Sequence, residues 1–122
     1  MSEGKSIIKS KSFTFAIRIV KLYQYLVIEK REYTLSKQLL RSGTAIGALV
    51  REAQNAESTK DFIHKLGIAQ KECDETIYWL ELLKETTYLL EKEFENINKE
   101  AIELLKMIRS AIITSKRKLS EN

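Results

Sequence analysis

Apolar residues recur along the chain at intervals of three and four, the spacing that places side chains on one face of an α-helix. Four such stretches are separated by charged or polar segments, and no useful strand-like alternation occurs. The pattern predicts an all-α fold, an antiparallel up-down-up-down four-helix bundle. The core positions are expected at Phe15, Ile19, Leu22, Tyr23 and Leu26, then Leu35, Leu39, Ile46, Leu49, Val50 and Ala53, then Phe62, Leu66, Ala69, Cys73, Ile77 and Leu80, and finally Phe94, Ile97, Ala101, Leu104, Leu105, Ile108, Ala111 and Ile112. Phe13, Ala16, Val20 and Val27 widen the first apolar stripe.

Helix-start signals divide the chain. Ser12 and Thr34 are expected to cap the first two helices, since a hydroxyl can accept hydrogen bonds from free backbone N–H groups. Ser58 and Asp61 resemble a capping box at the start of the third helix, and residues 87–91 form the expected break before the fourth. We therefore expect a bundle over residues 12–115. Residues 1–11 are expected to be a disordered basic N-terminal tail, and residues 116–122 a basic C-terminal tail.

The composition fits one soluble globular domain, with 43% hydrophobic and 31% charged residues in 122 and no proline. No apolar run reaches the roughly 20 residues that a membrane span needs. The first residues lack the apolar stretch of a secretory signal, so a cytoplasmic location is expected. The single cysteine excludes an internal disulfide and a thiolate zinc site.

No group of residues with catalytic spacing is found. His64 is the only histidine and has no Glu-x-x-His partner for a carboxylate-bridged metal site. Cys73 falls on an apolar stripe, where a buried, inert thiol is expected. Phosphate loops and nucleophile elbows are absent. We therefore expect no enzymatic activity, no cofactor, no metal and no small-molecule substrate.

The charge is distributed unevenly. The net charge is +4, but residues 12–56 carry seven basic and three acidic residues, whereas residues 57–115 carry eight basic and twelve acidic ones. The basic half could attract nucleic-acid phosphates, or the opposite halves could steer copies of the chain together. Ordinary solvated helix faces are the third interpretation. The candidate nucleic-acid contacts are Arg18, Lys21, Lys37 and Arg51, together with Arg41 and the tails.

The third helix has a second apolar side. Ile68, Tyr78, Trp79 and Leu82 lie roughly opposite its core stripe, and a grouped apolar patch of this kind is typical of a protein interface. Coverage by a neighbouring helix is the alternative. Gly43 and Gly47, four residues apart on one face of the second helix, indicate the close approach of another backbone. Both faces are predicted to take part in self-association.

A structural ion pair is expected between the second and third helices. Folding them into a hairpin near Glu57 places Arg41 level with Cys73, so that Glu72 or Glu75 comes within reach of its guanidinium. Such pairs commonly fix the register of packed elements and need not add stability.

Three segments together resemble a known family: residues 35–48 (LSKQLLRSGTAIGA), 61–66 (DFIHKL) and 71–83 (KECDETIYWLELL). They are similar to the bacterial "four helix bundle protein" family, also called the rRNA intervening-sequence protein family, over roughly residues 13–115. The sequence departs from the family pattern at Leu49-Val50-Arg51, where an Asn, a β-branched residue and Ala are usual. It also departs at Ala45 and Cys73, where Ser and Ala are common.

The resemblance implies a left-handed bundle that assembles into a ring, typically a homopentamer. It also implies kinship with the basic pentameric accessory proteins of diversity-generating retroelements, which engage a reverse transcriptase and nucleic acid. No enzymatic activity is implied. Two functions follow as hypotheses: RNA or DNA binding by a basic surface of the ring, and a protein-interaction scaffold or accessory subunit that does not bind nucleic acid.

Overall fold

Four α-helices make up the fold. A computed structural model describes the backbone of residues 3–121 and the side chains of residues 7–121. The helices are α1 (Glu3–Ile28), α2 (Leu35–Gln54), α3 (Thr59–Glu85) and α4 (Glu91–Glu121), with no strand among these residues. Each helix packs against its neighbours in the chain, and a smaller α1–α4 contact closes the ring of four. The predicted all-α bundle is confirmed. No helix over residues 3–121 is long and apolar enough to cross a membrane.

The outer boundaries differ from those expected. Helix α1 begins at Glu3, so residues 3–11 are helical and not a disordered tail. Ser12 lies inside that helix, where its buried hydroxyl donates to the Lys9 carbonyl at 3.1 Å. Ile8, 7% exposed, joins the hydrophobic core and so extends the helix through packing that no local signal encodes. Met1 and Ser2 lie outside the described residues.

The C-terminal boundary of the bundle also differs from the prediction. Helix α4 continues to Glu121, so residues 116–121 extend the helix instead of forming a separate tail. Lysine, arginine and leucine are good helix formers, and cations are favourable near the C-terminal end of the helix dipole. The charges of Lys116, Arg117 and Lys118 are therefore carried on a helix, exposed to solvent.

The internal helix boundaries agree with the sequence signals. Ser58 caps α3, its Oγ accepting from the Asp61 amide at 3.1 Å, while Asp61 Oδ2 accepts from the Glu57 amide at 3.3 Å. Helix α3 ends at Glu85, before the predicted break. Without glycine, the α1–α2 and α3–α4 connections place Arg31 (φ 53°) and Thr87 (φ 68°) in the left-handed region. These conformations are uncommon for residues with a side chain, and most of all for a β-branched one.

The start of α2 is capped by a residue that the sequence analysis did not select. Thr34 occupies the N-cap position but makes no side-chain cap bond. Instead, the Glu32 carboxylate accepts from three backbone amides, those of Thr34 (3.1 Å), Leu35 (2.9 Å) and Ser36 (2.6 Å). Burial alone would raise the pKa of Glu32, but the three amide donors outweigh it and hold the pKa below its ordinary value. A single charged group thus satisfies three free donors of the helix end.

The glycine face of α2 packs inside the chain. A Cβ on Gly43 would lie 2.8 Å from two carbons of Ile19, and one on Gly47 would lie 3.2 Å from the Ser12 carbonyl oxygen. Both glycines are buried against α1. The expected close backbone approach is therefore present at Gly47, but the approaching backbone belongs to the same chain. The prediction that Gly43 and Gly47 form an oligomer interface is wrong, because α1 already occupies that face.

Candidate functional site

Helix α2 carries a stripe of side chains on the side away from its buried positions. Four turns place Lys37, Arg41, Thr44, Ala48 and Arg51 on this stripe, here called the α2 ridge. Its only charged members are the three cations. Lys37 and Arg51 are exposed, and neither makes an ion pair with a residue in the range 7–121.

The Arg41 side chain extends from the α2 ridge toward α3. Its Nη2 lies 2.6 Å from Glu75 Oε1 and its Nη1 lies 3.5 Å from Glu72 Oε1. The structure thus brings together all three residues of the predicted ion pair. The Arg41 side chain is 53% exposed and that of Glu72 only 18%, so the pair lies at the edge of the helix interface. With both carboxylates engaging it, Arg41 offers less charge to a polyanion than Lys37 or Arg51.

A buried hydroxyl pair accompanies this ion pair. The Oγ atoms of Thr76 and Ser42 lie 3.0 Å apart between α3 and α2, and both residues are fully buried. Sequence reasoning missed this contact, although the hairpin register that predicts the Arg41 pair also brings these two residues to the same level. The two hydroxyls and the Arg41 ion pair form a polar layer between α2 and α3, and satisfied polar contacts of this kind help to specify a single packing arrangement.

The Arg51 side chain extends from the α2 ridge toward α1, on the opposite side from Arg41. Its guanidinium carbon lies 5.1 Å from the centre of the Phe13 ring, within the range of a cation–π contact. Phe13 is 51% exposed, although the sequence pattern assigns it to the edge of the core stripe. Ile17 and Val20 follow on the same side of α1, also exposed. Phe13, Ile17 and Val20 thus form an exposed apolar surface that the sequence pattern did not predict.

The other two predicted nucleic-acid contacts face a different helix. Arg18 forms an ion pair with Glu100 of α4. Lys21 and Arg18 line a hollow between α1 and α4 together with Lys92 and Glu93. The four predicted residues therefore do not form one patch. Lys37 and Arg51 belong to the α2 ridge, whereas Arg18 and Lys21 lie at the α1–α4 side, where Glu93 and Glu100 offset their charge.

The second apolar side of α3 is partly covered. Tyr78 is 53% exposed, whereas Ile68, Trp79 and Leu82 are half-buried, and Trp79 packs against the core. The rings of Tyr78 and Trp79 meet edge to face, with centroids 4.9 Å apart. Trp79 Nε1 is buried and has no hydrogen-bond partner among the described residues. Packing against the core thus covers part of Trp79, whereas Tyr78 is left exposed on this face.

The remaining reactive side chains are not assembled into a site. His64 is exposed on α3. Cys73 is buried, and its Sγ lies 3.2 Å from the Ala101 carbonyl oxygen of α4. Burial raises the pKa of the Cys73 thiol to about 12, with the charge of Asp74 adding to the rise. Across the described part of the chain, no three His, Cys, Asp or Glu side chains are grouped so that they could hold a metal ion.

Comparisons with known proteins agree with this architecture. Residues 4–110 match the family described as 23S rRNA-intervening sequence protein. The structure is similar to the crystal structure of a protein of unknown function from the S23 ribosomal protein family of Bacteroides thetaiotaomicron, with a TM-score of 0.88 and 51% sequence identity. The match covers 89% of this chain and 97% of that one. A comparison with curated proteins gave no match.

Proposed function

Because the chain belongs to the family of 23S rRNA-intervening sequence proteins, we propose that it is a non-enzymatic oligomer that binds RNA through its basic α1–α2 surface. The observation that carries this proposal is the pair of exposed cations on the α2 ridge, Lys37 and Arg51, neither of which is neutralised by a carboxylate of residues 7–121. Lys9 of α1 lines the same hollow as Arg51 and adds a third exposed charge. Unpaired cations on one side suit contact with a phosphate backbone. We place this activity in the cytoplasm, where a lone thiol stays reduced.

Backbone-directed binding of this kind depends strongly on salt. We expect a fluorescently labelled single-stranded RNA to bind at about 50 mM salt and to dissociate as salt rises, because binding releases condensed counterions. In the Lys37→Gln/Arg51→Gln variant, the slope of log affinity against log salt should fall by about 0.7 for each phosphate that the protein no longer neutralises. Anisotropy titrations at several salt concentrations measure this slope.

Lys99→Gln is the matched control, since Lys99 is an exposed lysine of α4 in the acidic half of the chain and belongs to neither the α2 ridge nor the outer face of α3. Its salt slope should equal that of the wild type. Absence of measurable RNA affinity at about 50 mM salt, where phosphate contacts are strongest, would contradict the proposed function.

We further propose that the chain forms a homopentamer through the outer face of α3. The exposed Tyr78 supports this choice, since its ring and the half-buried Ile68 and Leu82 form an apolar surface that a second subunit could cover. A carboxylate at position 79 would lie beside an apolar surface and would be repelled by Glu75, one helical turn earlier. Trp79→Glu is therefore expected to lower the mass measured by light scattering toward that of the 14.2 kDa chain.

Ile113→Glu serves as the control for this substitution, because Ile113 is 56% exposed on α4 and belongs to neither proposed surface. Its mass should be that of the wild type. An unchanged mass for Trp79→Glu, or a wild type that is already monomeric, would show that α3 does not mediate assembly.

A protein-interaction scaffold is the second candidate function. The acidic excess of residues 57–115 favours it, because opposite charge on the two halves can orient copies of the chain, or a partner protein, without RNA. An oligomeric mass combined with no RNA affinity at low salt would support this candidate over the first.

A further inference from the structure

A small hollow lies where the N-terminal half of α1 crosses the end of α2. Its volume is about 230 Å³, and it is lined by Lys9, Ser10, Phe13, Thr14 and Arg51. The lining consists of two cations, two hydroxyls and one aromatic ring, with no carboxylate. This composition distinguishes it from the hollow at Arg18 and Lys21, whose lining includes Glu93.

The aromatic ring in this hollow is exposed to solvent and also makes a cation–π contact. Half of the Phe13 surface is open to solvent, and the Arg51 guanidinium lies over the ring at 5.1 Å. A guanidinium held on an aromatic ring presents a planar cation beside a π surface. Unpaired nucleic-acid bases stack on such groups, and the adjacent phosphates bind the same cations.

We propose that this hollow binds one unpaired nucleotide of a single-stranded RNA, with its base stacked on Phe13 and its phosphate held by Arg51 and Lys9. This inference rests on the proposed function, since it specifies which part of an RNA the basic surface would recognise. A duplex does not fit this chemistry, because its bases are already stacked within the helix and present no free face.

The lining also limits what the hollow can discriminate. The Ser10 and Thr14 hydroxyls are the only uncharged polar side-chain groups that line it, and each can either donate or accept. Stacking on a phenyl ring tolerates every base, since all bases have a π face. We therefore expect a preference for single strands over duplexes, with little preference among base sequences.

The test uses the full chain with two Phe13 variants and two RNA probes, a labelled unstructured oligouridine and a labelled blunt duplex. Phe13→Leu removes the ring and keeps an apolar side chain, so we expect it to weaken oligouridine binding by about tenfold or more while leaving the salt slope unchanged. Duplex binding should not change. Ile17→Ala is the control, an exposed apolar residue of α1 that does not line the hollow.

Phe13→Trp gives a direct readout of stacking. The chain has one tryptophan, Trp79, which lies on α3 and outside the hollow. Oligouridine should therefore quench the fluorescence of Phe13→Trp more strongly than that of the wild type. The larger ring should also preserve the affinity for the single strand.

The outcomes separate the two proposals. If the wild type binds no RNA, the proposed function fails and this inference fails with it. If the wild type binds oligouridine but Phe13→Leu binds it equally well, or loses oligouridine and duplex binding alike, only the nucleotide site is wrong. A change in the oligomeric mass of Phe13→Leu would instead assign the exposed face of Phe13, Ile17 and Val20 to contact with a second copy.

Discussion

Replacing Gly43 by valine is expected to destabilise the protein by about 3 kcal/mol, at the upper end of the usual cost of overpacking a core. Even the Cβ of the new side chain would lie 2.8 Å from Cγ1 and Cγ2 of Ile19, and 3.0 Å from Cδ1. Ile19 is fully buried, and protein interiors are packed closely enough that a buried side chain cannot move without displacing its neighbours. Helix α1 would have to shift away from α2. Chemical denaturation at a fixed protein concentration measures the decrease in stability.

Gly67 provides the matched control for this prediction. It also lies inside a helix, but a Cβ there would meet no atom within 4 Å. Gly67→Ala should therefore stabilise the protein by about 0.5–1 kcal/mol through its higher helix propensity. Gly43→Ala, in contrast, should destabilise it. Equal effects of alanine at the two positions would show that α1 does not pack tightly on Gly43.

Replacing Glu32 by glutamine is expected to remove about 2 kcal/mol of stability at neutral pH. Glu32 is 8% exposed and its carboxylate accepts from three amides at the start of α2, so loss of the charge leaves these donors poorly satisfied. The neutral amide retains only one acceptor oxygen. Glu29→Gln, an exposed residue in the same connection, is the control and should change stability little.

The stability difference at Glu32 should depend on pH in a defined direction. The pKa of Glu32 is lowered in the folded chain, so the unfolded chain binds the proton more readily. The stabilisation is therefore complete above the ordinary carboxyl pKa and is lost as pH falls through the lower, folded value. Denaturation curves of the wild type and Glu32→Gln should converge below about pH 4. A stability gap that stays constant on acidification would contradict the capping role.

The bundle and its internal turns follow from local signals. Apolar spacing specifies each helix, and the Ser58 cap needs only neighbouring residues. The Arg41 contacts follow from one further assumption, a hairpin register, because residues equally distant from the turn meet across it. The geometry of these features is determined within one helix or one pair of helices.

The features that were missed depend on contacts that sequence spacing does not encode. Ile8 extends α1 because it reaches a core built by other helices. Phe13 lies at the edge of the apolar stripe, and whether such a position is buried depends on where the neighbouring helices contact α1. Glu32 lies two residues before the expected N-cap. A carboxylate just ahead of a helix start is the sequence signal that could have predicted its capping role. The four cations predicted to contact nucleic acid lie on two surfaces. This division could not be predicted without knowing where the α4 carboxylates lie.

The burial of Cys73 has a practical consequence. Its sulfur is packed between α3 and α4 beside the Ala101 carbonyl, and no other cysteine is present in the chain. A sulfhydryl-specific reagent can label the native protein only when these two helices separate. The labelling rate in the absence of denaturant therefore reports how often that interface opens, without any engineered probe. Comparison of the rate with and without RNA or at different protein concentrations would reveal whether ligand or subunit contacts hold the two helices together.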